Sequence, residues 1–187
     1  MNDLYHNTYR IPSSRYTGCN YASEGFYFVT WCVKDMRCCL SNIKNDMIVL
    51  SSMGDIVEEA MRKSVEQREN VLLDSYVIMP NHAHVIIHIG SCRDVPLARL
   101  DQPTKRDAPG GRLYKGTLGE IVNQMKAWST KRIRQSHDNR FQWQPRFYDH
   151  IIRNDQDLEK HRLYIGINPV KWPQDEYYIE RRAVGTS

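Results

Sequence analysis

The chain has 187 residues, enough for one well-packed core and short for two. Hydrophobic residues make up 41% and charged residues 26%, which argues against disordered, collagen-like and membrane classes. Lys and Arg total 26 against 22 acidic residues, and this net +4 permits nucleic acid as a partner without demanding it.

No apolar run approaches the ~18 residues of a spanning helix. The opening MNDLYHNTYRIPSSRYTG lacks the apolar centre of a secretory signal, so a cytoplasmic protein with no membrane partner is expected. Five cysteines, Cys19, Cys32, Cys38, Cys39 and Cys92, form neither an even set nor a C-x-x-C pair, and are read as reduced.

After a polar arm over residues 1–24, residues 25–33 are dense in aromatic and β-branched side chains and predict a strand. A turn over 34–37 and a short strand over 47–50 follow. Ser52-Met53-Gly54-Asp55 is an S-x-x-D helix start, and Ile56, Val57, Ala60, Met61, Ser64 and Val65 then share one helical face. Residues 71–79 and 82–89 predict two strands paired across a Pro80-Asn81 break.

The Pro- and Gly-bearing stretch 91–116 reads as a surface loop or insertion within one domain. Thr117-Leu118-Gly119-Glu120 is a capping box, opening a helix to about Gln135 whose buried face is Leu118, Ile121, Val122, Met125 and Trp128. Residues 141–148 are expected to be irregular. A last helix, capped by Asn154 or Asp155, should end near Asn168, before Pro169. The order predicts an α+β fold: a ferredoxin-like antiparallel sheet with helices packed on one face.

The segment MPNHAHVIIHI carries the chemistry. On a strand, His82 and His84 point the same way, roughly 6.6 Å apart along the chain, as a preformed bite for a divalent cation. On the last helix, Tyr164 and Asn168 are four residues apart and share a face. Gly166 between them suggests a close approach or tight packing. Lys126, Lys131, Arg132, Arg134 and Arg146 are interleaved with aromatics including Trp143, a mixture suited to phosphates and unpaired bases.

Together MPNHAHVII, GTLGEIV, WQPRFYDHIIRN and YIGINPVKW, in that order, resemble the REP-associated tyrosine transposases, insertion-sequence-200-like members of the single-tyrosine HUH class. The resemblance covers about Gly25 to Trp172. It implies that His82 and His84 bind Mg²⁺ or Mn²⁺, with Asn168 as a third ligand where the class often has Gln, and that Tyr164 is the nucleophile. Tyr148 is the alternative nucleophile, and Asn81 and Gln144 would support the site or touch DNA.

The implied activity is nicking and strand transfer on single-stranded or hairpin DNA through a 5′-phosphotyrosine. The alternatives are a noncatalytic DNA-binding protein derived from a transposase, and a metal-dependent phosphodiesterase using water. Some members of the class exchange the tyrosine helix between two subunits, so a homodimer is an open expectation.

Overall fold

A computed structural model describes residues 24–90 and 116–178. The N-terminal arm up to residue 23, residues 91–115 of the expected loop, Cys19 and Cys92 lie outside the described residues. Cys32, Cys38 and Cys39 are free thiols, as expected.

Strand alternation sets the layers. Along β1 (Gly25–Cys32), Tyr27, Val29 and Trp31 enter one apolar cluster while Phe28 enters another, because successive side chains leave a strand on opposite faces. Strand β5 (His82–Ile89) pairs antiparallel with β1 in the register Phe28↔Ile86, Thr30↔His84 and Cys32↔His82. Ala83, Val85, Ile87 and Ile89 therefore join the first cluster, and both histidines share the second face with Ile86.

A small hairpin, β2 (Ser41–Lys44) and β3 (Met47–Leu50), stands apart from the main sheet. Asn45 and Asp46 turn it with φ of 50° and 60°, the left-handed geometry of a tight two-residue hairpin loop. Adding β4 (Val71–Ile78) and β6 (Tyr148–Ile152) gives a four-stranded antiparallel sheet of order β4-β5-β1-β6. This is the α+β, ferredoxin-like arrangement that the element order implied. Strands β2 and β6 were not expected; both are short and carry polar residues, so neither shows a clear alternation.

Helices α1 (Ser52–Glu66) and α2 (Leu118–Ser136) pack on the first face, burying Val57, Ala60 and Met61 with Leu118, Ile121, Val122 and Met125. The α1 cap is Ser51, one residue earlier than the sequence motif suggested, and its hydroxyl accepts from the Gly54 amide. The α2 capping box is present in full, with both Thr117 and Glu120 engaged. Trp128 lies outside the buried face of α2, which continues through Ser129 and Ile133. Instead its exposed ring carries the Lys63 ammonium 5.4 Å from its centre.

Helix α3 (Asp155–Ile167), capped by Asn154, crosses the second face, where only its Leu158 and Ile165 are buried. No described helix is long and apolar enough to cross a membrane.

One polar joint fastens α1 to β4. The Tyr76 hydroxyl donates to Glu58 at 2.5 Å while Arg62 donates to both. The Tyr76 hydrogen bond, assisted by Arg62, holds the Glu58 carboxyl below its ordinary value of 4.5. A depressed folded value means that this contribution is present above pH 4.5 and fades as pH falls below it. Glu58→Gln should therefore lower stability at pH 7 by a fraction of about 1 kcal/mol and change it less at pH 3, as read by urea denaturation.

Candidate active site

His82 and His84 open strand β5, immediately after the Pro80-Asn81 turn, and both are buried. Their Nε2 atoms lie 2.9 Å apart. The Asn81 amide donates its NH₂ to the carbonyls of Met36 at 3.3 Å and Tyr177 at 2.8 Å, so its Oδ1 is left as an acceptor. His82 Nδ1, 2.8 Å away, must then be the N–H donor, and His82 Nε2 presents a lone pair.

His84 Nδ1 meets the Thr30 hydroxyl at 2.6 Å. That hydroxyl can donate or accept, so it can take the proton of His84 Nδ1–H and thereby support the tautomer that offers Nε2 to a cation, whereas without an ion the 2.9 Å contact with His82 Nε2 is made by an N–H on His84 Nε2. Burial holds both imidazoles below their ordinary value of 6.5, His84 down to about 3. Both are neutral at physiological pH, the form a cation requires.

Helix α3 brings the phenol. Tyr164 Oη stands 3.5 Å from His84 Nε2, and its ring meets the imidazole edge-on with centroids 5.1 Å apart. Burial raises the Tyr164 hydroxyl to about 12, reinforced by the charges of Asp175 and Glu176 and opposed by a hydrogen bond from Asn168. Asn168 caps the C-terminus of α3 and is buried. Its NH₂ donates to Asp175 at 3.1 Å, whereas its buried Oδ1 has no hydrogen-bond partner among the described residues. Asp175 in turn lies within ligand distance of both histidines, so the imidazoles, that carboxylate and the unsatisfied Asn168 oxygen are donors of the kinds that fit a divalent cation.

Two residues here carried no signal in the sequence. Asp175 places a carboxylate oxygen within 4.8 Å of ligand nitrogens of His82 and His84, and the Tyr177 ring lies 4.6 Å from that of His82. They follow a 3₁₀ turn at Trp172–Gln174, where neither period nor motif marks a site. Tyr148, the alternative nucleophile, is exposed on edge strand β6 opposite Thr30, and no described hydrogen bond or ring contact joins it to either histidine. At Gly166 an added Cβ would meet nothing within 4 Å, so neither close approach nor packing within the described residues explains that glycine.

With a thin apolar anchor, α3 relies on polar contacts. Arg162 grips Asp74 of β4 with two hydrogen bonds of 2.8 and 2.6 Å, and the Asp74 side chain is only 5% exposed. Arg162→Met should remove both guanidinium hydrogen bonds from that buried carboxylate and lower stability by about 3 kcal/mol, measured by chemical denaturation.

The basic residues do not form one cluster. Lys126 is buried and its ammonium donates to the carbonyls of Gln144 at 2.6 Å and Arg146 at 3.3 Å. Trp143 is also buried, its indole N–H donating to Ser129. Arg132 approaches Glu59 at 3.4 Å, and Arg134 Nε donates to the Phe141 carbonyl. Lys126, Lys131, Arg134, Trp143 and Gln144 nevertheless line one open groove of about 680 Å³ between α2 and residues 142–145. The Gln144 backbone N–H donates to the carbonyl of Cys32, the β1 residue that pairs with His82, so the groove borders the histidine end of the sheet.

No protein-family model matches the chain. An uncharacterized protein of Haemophilus influenzae is 34% identical over 167 residues, covering 86% of this chain and 89% of that protein. A REP-associated tyrosine transposase of Escherichia coli is 62% identical over 29 residues, which are 16% of this chain and 18% of that protein. A solved REP-associated tyrosine transposase bound to a REP hairpin superposes with a TM-score of 0.55 at 25% identity, covering 84% of this chain and 73% of that one.

A ferredoxin-like sheet that sets two strand histidines against a helix-borne phenol thus defines a domain of the transposase type. Within that type, the chain resembles the REP-associated tyrosine transposases in sequence and fold.

Proposed function

We propose that this chain is a metal-dependent enzyme that nicks single-stranded or hairpin DNA and transfers the strand through a 5′-phosphotyrosine on Tyr164. The observation that carries this reading is the approach of Tyr164 Oη to His84 Nε2, at 3.5 Å within a single chain. Tyr148 remains the alternative nucleophile, without a comparable approach.

His82, His84 and the Asn168 amide oxygen would hold Mn²⁺ or Mg²⁺, with the Asp175 carboxylate as a further oxygen donor; imidazole nitrogens favour Mn²⁺ of the two. Bound there, the ion supplies Lewis-acid polarisation of the scissile phosphate. The residues do the rest. Asn81 fixes the His82 tautomer, Thr30 holds His84 through Nδ1, and the Phe28 ring stacks 5.3 Å from that of His84.

Tyr164 Oη forms the new bond to phosphorus as the bond to the 3′ oxygen breaks, and the phenolic proton ends on that oxygen as a free 3′-hydroxyl. Because the bond energy is retained in the phosphotyrosine, the same hydroxyl or another can reverse the step and join strands. A hydroxyl raised to about 12 attacks only weakly unless its electrophile is activated.

For DNA, exposed Lys131 and Arg134 would meet phosphates along the groove, whose wall Lys126, Trp143 and Gln144 would shape, and exposed Arg132 and Arg146, outside its lining, would meet flanking phosphates.

Incubating the protein with Mn²⁺ and 5′- or 3′-labelled hairpin DNA bearing a single-stranded flank tests the reading. A denaturation-resistant protein–DNA adduct with a released 3′-hydroxyl strand is the expected result. Binding without cleavage would instead favour the noncatalytic DNA-binding protein, and cleavage without an adduct a phosphodiesterase using water.

A further inference from the structure

We propose that His150, Asp157 and His161 form a second divalent transition-metal site, distinct from the His82–His84 pair, which clamps the tyrosine-bearing helix to the edge of the sheet. His150 projects from β6, the edge strand, on the face that α3 crosses. Asp157 lies in the first turn of α3 and His161 one turn later, four residues on and so on the same side of the helix.

The carboxylate stands between the two rings. Asp157 Oδ2 is 2.9 Å from His150 Nε2, and Oδ1 is 3.3 Å from His161 Nδ1, which donates its proton to the Asp157 backbone carbonyl at 2.8 Å and so leaves His161 Nε2 to face an ion. The imidazoles are stacked, with centroids 4.9 Å apart and planes inclined by 24°, and one ligand atom from each of the three residues falls within 4.8 Å of the others. Two imidazoles and a carboxylate are the protein ligands of a zinc-type ion that keeps an open position for water. Side-chain exposures of 39% for His150, 23% for Asp157 and 17% for His161 leave the ion a route in.

The Phe28 ring touches both clusters, its centroid 4.7 Å from that of His161 and 5.3 Å from that of His84. Position gives the cluster a purpose. The Arg162–Asp74 pair ties α3 to β4 at one edge of the sheet, and His150, Asp157 and His161 tie it to β6 at the other. Tyr164 follows His161 by three residues, so a metal clamp here would hold the phenol in place. This inference does not depend on the nicking activity proposed above.

The test uses chelator-treated full-length His82→Ala/His84→Ala protein, folded by circular dichroism, titrated with Zn²⁺ by calorimetry and with Co²⁺ by visible absorption. One equivalent should bind, and adding His150→Gln or Asp157→Asn should weaken that binding at least 100-fold. In the wild-type protein, Zn²⁺ should shift the imidazole ¹H–¹⁵N resonances of His150 and His161 and slow amide exchange along α3. No binding by the folded double variant, binding that survives both added substitutions, or unmoved His150 and His161 resonances would each overturn the proposal.

Discussion

Tyr164→Phe is expected to abolish the covalent protein–DNA adduct, lowering adduct formation by at least about 10³-fold, as loss of a covalent nucleophile does elsewhere. The substitution removes one oxygen and keeps the ring. That ring packs edge-on against Phe28 at 5.9 Å and against His84 at 5.1 Å, so the fold should persist. The phenol is also partly exposed, and its deletion removes only the 3.5 Å contact with His84 and the hydrogen bond from Asn168, whose NH₂ keeps Asp175 as an acceptor. Gel resolution of adducts under denaturing conditions, beside hairpin binding by the same protein, checks this. Unchanged binding with no adduct is the predicted pattern; adduct formation at the wild-type rate would remove Tyr164 from the chemistry.

Removal of an imidazole is the second large effect. His84→Ala deletes the group that faces both His82 Nε2 and Tyr164 Oη, so Mn²⁺-dependent cleavage should fall by several kcal/mol of transition-state stabilisation, about 10³-fold. Thr30→Val is the graded companion. It keeps the ring but removes the hydroxyl that supports the ligating tautomer, and such supporting partners are worth about 10–100-fold in metal affinity. Excess Mn²⁺ should restore cleavage by Thr30→Val and leave His84→Ala inactive. Cleavage measured against Mn²⁺ concentration separates the two, and equal rescue of both would contradict the assigned ligand set.

Much of this was legible in the sequence where one residue type has one local geometry. Strand β5 could be read from the alternation of MPNHAHVIIHI, and with it the shared face of His82 and His84. The Thr117–Glu120 capping box likewise marked its helix start, and the Tyr164–Asn168 spacing survived as one turn of α3.

What escaped depends on tertiary partners. Strand β6 is recognisable only because β1 pairs with it, and Trp128 fits a helical period yet lies beyond the arc that the sheet covers. Nothing local announces that Thr30, Asn81 and Asp175 converge on the imidazoles from β1, a turn and the segment after α3. The basic residues show the same limit: composition put them near one another in sequence, whereas folding commits Lys126 to backbone carbonyls and leaves Lys131 and Arg146 to solvent.

The most direct measurement is mass spectrometry of the protease-digested adduct formed with Mn²⁺ and hairpin DNA. A nucleotide joined through a 5′-phosphate to the peptide bearing Tyr164 is the predicted result. Attachment to Tyr148 or Tyr177 instead, or strand cleavage with no tyrosine modified, would contradict the account.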